Sequence, residues 1–154
     1  MSVHETLSQL GLDLPAAPSP VGSYVPARQA GDLIFVSGVL PFRNGIIAQP
    51  GKLGRELTVE EGAAAAQLAM LNGLAILQEM MGDFTRLKQV VRLTGHVASA
   101  EGFVDQPAVI NGASDLLVQL FGDSGRHARL ALGAFELPLY APIELELIVQ
   151  MSPS

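Results

Sequence analysis

Arg129 is the residue whose type and setting most directly indicate chemistry. It lies in the segment Ala128–Phe135, which is otherwise apolar, and a guanidinium group in such a segment needs a partner. Its planar fork binds a carboxylate through two parallel hydrogen bonds and stays charged at any relevant pH. The pattern is typical of an anchor for a small anionic ligand. A salt bridge to Glu136, Glu144 or Glu146, or an outward-pointing side chain, is the more ordinary alternative on the residues alone.

Two glutamates alternate with the apolar residues of Ile143–Val149. Such alternation most often indicates a strand with one buried face and one solvated face. If the preceding turn makes a hairpin, one register places Glu144 opposite Ala131 and on the same face as Arg129. A slip of one residue would separate them, and the sequence does not determine the register. In one pocket, the arginine could hold an anionic substrate while the glutamate positions or deprotonates water.

Weaker signals come from polar residues at the ends of predicted elements. Ser37-Gly38 follows a buried strand and is typical of a turn, and Tyr24 fits a packing position on an edge strand. Asn111 begins or interrupts a helix, where capping is the ordinary role of asparagine. His127 is expected to project to the strand face opposite Arg129 and to be structural. The sequence contains no serine–histidine–acid set, phosphate-cradling glycine loop or nucleotide fingerprint.

Hydropathy and turn signals predict an α+β domain with the order ββ, α, β, α, ββ, in which a mixed sheet has its helices on one face. The capping box Thr58–Glu61 begins a long helix that Gly82-Asp83 ends. Two helices cannot cover both faces of a four- to five-stranded sheet, so association through the sheet is expected. The predicted helices are Ser2–Leu10, Val59–Met81 and Ala108–Phe121, the last interrupted early by Asn111-Gly112, and the predicted strands are Tyr24–Gln29, Asp32–Val36, Leu87–Val97, Arg129–Phe135 and Ile143–Val149.

The composition favours an oligomer. A chain of 154 residues suits a single domain, here residues 1–154 with an N-terminal extension over 1–20 that carries the short helix. Hydrophobic residues make up 49% of the chain and charged residues only 16%, whereas about 25% charged is typical. Because a small domain cannot bury all of this apolar surface, a subunit interface is its natural place.

Several classes of function are disfavoured. Without cysteine there is no disulfide or thiolate site, and the three histidines are far apart without ligand spacing, so a metal site is not expected. The net charge of −6 and the absence of a basic cluster disfavour nucleic acid as a partner. The most apolar stretch, Gly62–Met81, contains four polar residues and is not expected to cross a membrane. The N-terminus lacks the pattern of a secretion signal, so a cytoplasmic protein is expected.

Several segments together resemble the reactive intermediate deaminase family, also called Rid or YjgF-like and formerly described as L-PSP endoribonucleases. The similarity extends over roughly Pro18–Met151, nearly the whole chain. Its most specific part is Ala-Arg followed fifteen residues later by the first glutamate of an Ile-Glu-Leu-Glu strand. The matching segments are Val21–Tyr24, Gly31–Gly38 with Leu40-Pro41, the long helix, Val90–Leu93, His127–Arg129, Leu137-Pro138 and Ile143–Glu146.

This resemblance implies a chorismate-mutase-like fold assembled as a homotrimer, with sites in the clefts between neighbouring subunits. By the same resemblance, Arg129 clamps the carboxylate of a 2-imino acid and Glu144 holds the attacking water, so that hydrolysis gives a 2-oxo acid and ammonia. No metal or organic cofactor is implied. The further residues that the resemblance places at the substrate are Tyr24, Ser37, Gly38, Asn111 and Ala131.

The sequence departs from the family pattern near the expected cleft. Leu130 replaces a smaller residue after the arginine, and the segments Phe42–Leu57 and Gly102–Ala108 are longer than usual, as in a divergent chorismate-mutase-like subgroup without a settled activity. A trimer that binds a small carboxylate metabolite without turnover is therefore the second hypothesis. An endoribonuclease or translation inhibitor and a chorismate mutase are disfavoured, because nine Lys and Arg residues in an acidic chain provide few cationic groups.

Overall fold

The computed structural model describes residues 1–20 and 22–153; Val21, the first residue of the Val21–Tyr24 motif, lies outside them. The chain forms a mixed sheet with helices on one face, as predicted. The helices are α1 (Val3–Gln9), α2 (Val59–Met81) and α3 (Gln106–Phe121), and the strands are β1 (Ala27–Ala30), β2 (Leu33–Val39), β3 (Phe42–Arg43), β4 (Ile46–Ile47), β5 (Leu87–Ala98), β6 (Ala128–Ala134) and β7 (Ile143–Met151), with short 3-10 turns over Gly122–Gly125 and Pro138–Tyr140.

The main sheet has the strand order β1-β2-β7-β5-β6, and the short strands β3 and β4 form a separate hairpin around Asn44-Gly45. Only the β5–β6 pair is parallel within this sheet. Alternate residues of β7 point toward α2 and are fully buried, as the alternation in Ile143–Val149 predicts. The same alternation places Glu144 and Glu146 on the opposite face, which we call the open face.

A hairpin between β6 and β7, the condition for pairing Glu144 with Ala131, does not form. Strand β5 lies between them, so that His96, and not Ala131, is the residue opposite Glu144. The reason is the α3 crossover: a helix that connects two strands returns the chain in the same direction, and β6 therefore pairs in parallel with β5. Strand β7 then takes the remaining edge of β5.

The capping box predicted for α2 is present. Thr58 Oγ1 accepts a hydrogen bond from the Glu61 amide at 3.2 Å, and Glu61 Oε1 accepts from the Thr58 amide at 3.3 Å. Asn72, in the buried middle of this helix, donates from Nδ2 to the carbonyls of Leu40 at 3.0 Å and Phe42 at 3.1 Å. This side chain fastens the start of the long loop after β2 to the core.

Helix α3 runs without the interruption expected at Asn111-Gly112. Gly112 has a packing role, since a Cβ at this position would lie 1.9 Å from the carbonyl oxygen of Ala63 on α2. On the sheet side, a Cβ on Gly95 would lie 2.4 Å from Cδ1 of Ile110. Two glycines therefore let α3 approach both α2 and β5.

The open face of the sheet is partly apolar. The side chains of Phe35, Leu130 and Leu132 on this face are each more than 40% exposed, which is the surface left over by a two-layer arrangement. Across residues 1–20 and 22–153, none of the helices is both long enough and apolar enough to pass through a bilayer.

Replacing Gly112 by alanine tests the close approach of the two helices. Because the methyl group would meet backbone and not a movable side chain, we expect Gly112→Ala to lower the free energy of unfolding by about 2 kcal/mol or more. Gly73→Ala is the matched control, since its Cβ would lie 3.6 Å from Val39 and alanine favours a helix. Urea unfolding of both variants measures the difference; equal stabilities would contradict the packing role of Gly112.

Replacing Asn72 by alanine tests the loop attachment. The change leaves the Phe42 carbonyl without its side-chain donor, and we expect a loss of about 1–3 kcal/mol in the free energy of unfolding. Gln67→Ala, which removes an amide from a partly exposed position of the same helix, is the control. A loss no greater than that of the control would show that the two hydrogen bonds contribute little.

Candidate functional site

Arg129 lies on the helix face of edge strand β6, next to the buried Leu93 of β5. Its Nη1 donates to Asn111 Oδ1 at 2.7 Å and to Ser114 Oγ at 3.2 Å. Among the described residues it forms no ion pair with a carboxylate, so the salt-bridge alternative is wrong. Both partners engage one terminal nitrogen, which leaves the fork of Nε and Nη2 able to bind a carboxylate through two hydrogen bonds.

Helix α3 supplies both partners of the arginine. Asn111 and Ser114 are three residues apart and therefore share one face of the helix, the face that looks toward β6. Asn111 does not cap this helix, because it lies well inside Gln106–Phe121. The close packing of α3 on β5 thus sets the position of the acceptors that hold Arg129.

His127 lies on the same side as Arg129, contrary to the expected opposite orientation. Its Nε2 is 2.9 Å from Ser114 Oγ, and its Nδ1 is 2.7 Å from the carbonyl oxygen of Gly125. The histidine precedes β6 by one residue, and residues two apart on an extended chain point the same way. Ser114 therefore contacts both His127 and Arg129.

Glu144 lies on the open face of β7, beside the β-bulge of strand β2. A Cβ at Gly38 would lie 3.0 Å from Glu144 Oε1, so the absence of a side chain at position 38 makes room for this carboxylate. His96 is the cross-strand neighbour on β5, and its Nε2 is 3.9 Å from Oε1 of Glu146. The open face therefore has a group of three titratable side chains.

Burial raises the pKa of Glu144 above the ordinary value of 4.5. The positive charge of a protonated His96 would oppose this change, while the nearby negative charge of Glu146 adds to it. A carboxylate whose charged form is disfavoured binds a proton more readily, which is what general-base chemistry near neutral pH requires.

Ser37 and Tyr24 lie on the β2 side of Glu144. Ser37 Oγ donates to the Val25 carbonyl at 2.5 Å, and the Ser37 amide donates to the Pro26 carbonyl at 2.8 Å. These bonds hold the segment that contains Tyr24 against β2. Tyr24 is 49% exposed.

The expected residues thus form two groups. An arginine group on the helix face of β6 contains Arg129, Asn111 and the neighbouring Ala131. A glutamate group on the open face contains Glu144 with Gly38 beside it and Ser37 on the neighbouring strand β2. Tyr24 lies in the segment before β1, on the far side of β2 from Glu144. Strand β5 separates β6 from β7, so these strands are about 10 Å apart, and Arg129 is level with Leu147, three residues along β7 from Glu144. The two groups also lie on opposite faces of the sheet. Within one chain they do not form a common pocket.

Three polar residues near these groups were not identified from the sequence as functional. The spacing of Ser114 from Asn111 and of His127 from Arg129 could have identified the first two. His96 required knowledge of the strand order. Within the described part of the chain, no three acidic or histidine side chains converge as metal ligands would.

Comparison with known proteins agrees with the fold. Residues 4–150 match the family model described as "YjgF/chorismate mutase-like, putative endoribonuclease". The chain is 41% identical to Protein TCP17 of Trypanosoma cruzi over 97% of this chain and 94% of that protein. It is 29% identical to a 2-iminobutanoate/2-iminopropanoate deaminase of Dermatophagoides farinae, over 90% of this chain and 93% of the other.

A solved structure shows the same fold. The protein Atu1372 of Agrobacterium tumefaciens, which is described as having unknown function, superposes with a TM-score of 0.91 at 39% identity, covering 98% of this chain and 92% of that one. The family match spans nearly the whole chain, and the similarity in sequence and the similarity in fold agree with it. The chain therefore belongs to the YjgF/chorismate mutase-like family.

Proposed function

We propose that the protein hydrolyses 2-imino acids to 2-oxo acids and ammonia, in clefts between the subunits of a homotrimer. The observation that supports this most directly is the division of the site into an arginine group and a glutamate group on opposite faces of the sheet. Each group has half of what the reaction needs. A rotationally closed assembly can bring the arginine group of one subunit to the glutamate group of the next.

The arginine group binds the substrate. The free fork of Arg129 takes the carboxylate of the 2-imino acid, and the contacts to α3 hold the fork in place before the substrate arrives. The imine carbon, one bond from the carboxylate, is thereby fixed in position relative to β6. The neighbouring Ala131 backbone lies on the same side as the arginine and lines the same cleft.

The glutamate group supplies the base. Glu144 takes a proton from a water molecule as the water oxygen bonds to the imine carbon, and the π electrons of the C=N bond move to nitrogen, which takes up a proton. In the resulting carbinolamine the hydroxyl proton passes to the amine nitrogen, the C–N bond breaks with its electrons leaving on ammonia, and the hydroxyl oxygen forms the new carbonyl. The raised pKa of Glu144 suits it to accept and return this proton.

The name of one distant relative gives weaker support. A relative with 29% identity is named a deaminase of these small imines, whereas the family description mentions an endoribonuclease. An acidic chain with net charge −6 is poorly suited to tracking a phosphate backbone.

The second candidate is a trimer that binds small carboxylates without turnover, which would need Arg129 but not Glu144.

Ammonia and 2-oxo acid release from freshly generated 2-iminopropanoate and 2-iminobutanoate tests the proposal. Arg129→Lys keeps the charge but loses the fork, and we expect its KM to rise about 30-fold or more, as for a lost partner of a charged pair. Glu144→Gln keeps the shape but loses the base, and we expect kcat to fall about 100-fold or more.

The control is Glu101→Gln, which removes a carboxylate from an exposed turn and should behave as wild type. If wild type does not accelerate release but binds pyruvate in an Arg129-dependent way, the binding-module hypothesis replaces the deaminase. If neither turnover nor carboxylate binding is found, both hypotheses fail.

The raised pKa of Glu144 also predicts a pH-dependent stability. Because the folded protein holds the proton more tightly than the unfolded chain, ionisation of Glu144 costs stability as the pH rises through its folded pKa. Below the unfolded value of about 4.3 this cost vanishes. We therefore expect Glu144→Gln to have a higher Tm than wild type at pH 7 and an equal Tm at pH 4.

Thermal unfolding of both proteins at one protomer concentration, from pH 4 to pH 8, measures this difference. Glu101→Gln controls for the removal of one negative charge. A constant difference across the range, or a lower Tm of Glu144→Gln at pH 7, would show that the Glu144 carboxylate is not disfavoured in the assembled protein. The second result would indicate a cationic partner from a neighbouring subunit.

A further inference from the structure

A chain of hydrogen bonds leads from Arg129 into the body of the protein. Nη1 of Arg129 is 3.2 Å from Ser114 Oγ, Ser114 Oγ is 2.9 Å from Nε2 of His127, and Nδ1 of His127 is 2.7 Å from the Gly125 carbonyl oxygen. These hydrogen bonds therefore join the outermost strand of the sheet, helix α3 and the 3-10 turn after it. Neither Ser114 nor His127 has a part in the proposed imine chemistry.

The acceptors determine which group donates in each of these hydrogen bonds. A carbonyl oxygen only accepts, so Nδ1 of His127 has the proton that is donated to Gly125. In the neutral imidazole Nε2 is then an acceptor, and the Ser114 hydroxyl donates to it. The lone pairs of Ser114 Oγ remain for Arg129, which can only donate. One arrangement of hydrogens thus satisfies all of the groups.

The Gly125 end of this series of hydrogen bonds is held in place by packing. Gly125 is buried, and a Cβ at this position would lie 2.2 Å from the carbonyl oxygen of Leu117 on α3. The turn that contains Gly125 thus packs directly on the backbone of α3. The His127 ring is held at one nitrogen by Ser114 on α3 and at the other by Gly125, in the turn that packs on α3. The ring therefore orients the Ser114 oxygen relative to this helix.

We propose that Ser114 and His127 are positioning residues for Arg129, which keep its Nη1 turned toward α3 and its Nε–Nη2 fork turned toward the substrate carboxylate. Asn111 accepts from the same nitrogen at 2.7 Å, but a flexible amide alone leaves the guanidinium free to turn about that contact. The second acceptor, held by the histidine, removes this freedom. This role rests on the proposed carboxylate anchor and extends it by two residues that do not touch the substrate.

Steady-state kinetics on 2-iminopropanoate separates positioning from general stability. Ser114→Ala and His127→Ala loosen the anchor, and we expect each to raise KM about threefold to tenfold with kcat nearly unchanged, since an anchor contributes equally to ground-state and transition-state binding. Ser114→Thr retains a hydroxyl and should restore KM. Because the two residues act in one chain, the double alanine variant should be no worse than either single variant.

Arginine side-chain NMR tests the same role without any catalysis. In protein labelled with ¹⁵N- and ¹³C-arginine, assigned with Arg129→Lys, we expect slow rotation of the Arg129 guanidinium in wild type. Rotation should be several-fold faster in Ser114→Ala and in His127→Ala. Ser8→Ala, on an exposed part of α1, is the control and should leave both rotation and KM unchanged.

The outcomes separate the two proposals. Unchanged rotation and unchanged KM in both alanine variants would overturn the positioning role while leaving the deaminase intact. A wild type without turnover or carboxylate binding would remove the deaminase, and the rotation rates alone would then decide whether Ser114 and His127 hold the arginine. A fall in kcat and in Tm with wild-type KM and rotation would show a merely structural role.

Discussion

Within residues 1–20 and 22–153, the charge on Arg129 is met by neutral oxygens only, from Asn111 and Ser114 on α3. A guanidinium group without a carboxylate partner is costly to keep in a partly buried position, because burial of a charge is compensated fully only by a counter-charge. This cost arises at an edge strand of the sheet, where the fork of Arg129 Nε and Nη2 is left for a ligand. The packing of α3 on α2 and β5, which needs Gly112 and Gly95, serves to hold the two acceptors in place.

The strand order then determines which side chains can share a site with Arg129. Since β5 separates β6 from β7, Glu144 lies on the other face and cannot reach a carboxylate held by the arginine of its own chain. The open face that contains Glu144 is also the face with exposed apolar side chains, including Phe35 and Leu132. Burial of this surface against a second copy would bring a foreign arginine group near Glu144. Assembly and chemistry would then depend on the same face.

The sequence predicted local features well and non-local ones poorly. The capping box at Thr58 and the alternation in β7 are each determined by neighbours along the chain or by a strong pattern, and both are confirmed. The position of β5 between β7 and β6 depends on how α3 crosses over, which no local pattern specifies. The contact of Asn111 with Arg129 follows from that crossover, so the sequence alone did not reveal it. The orientation of His127 follows from its spacing of two residues from Arg129, which the sequence does contain.

The most direct test of a shared site is complementation between two inactive variants. Arg129→Ala and Glu144→Gln subunits, co-expressed in equal amounts with different tags, should each be inactive alone. If every site takes its arginine from one subunit and its glutamate from the next, random assembly restores about a quarter of wild-type deaminase activity. If mixed oligomers form but show no activity above the single variants, the arginine and glutamate groups do not meet across an interface, and the proposed shared site is wrong.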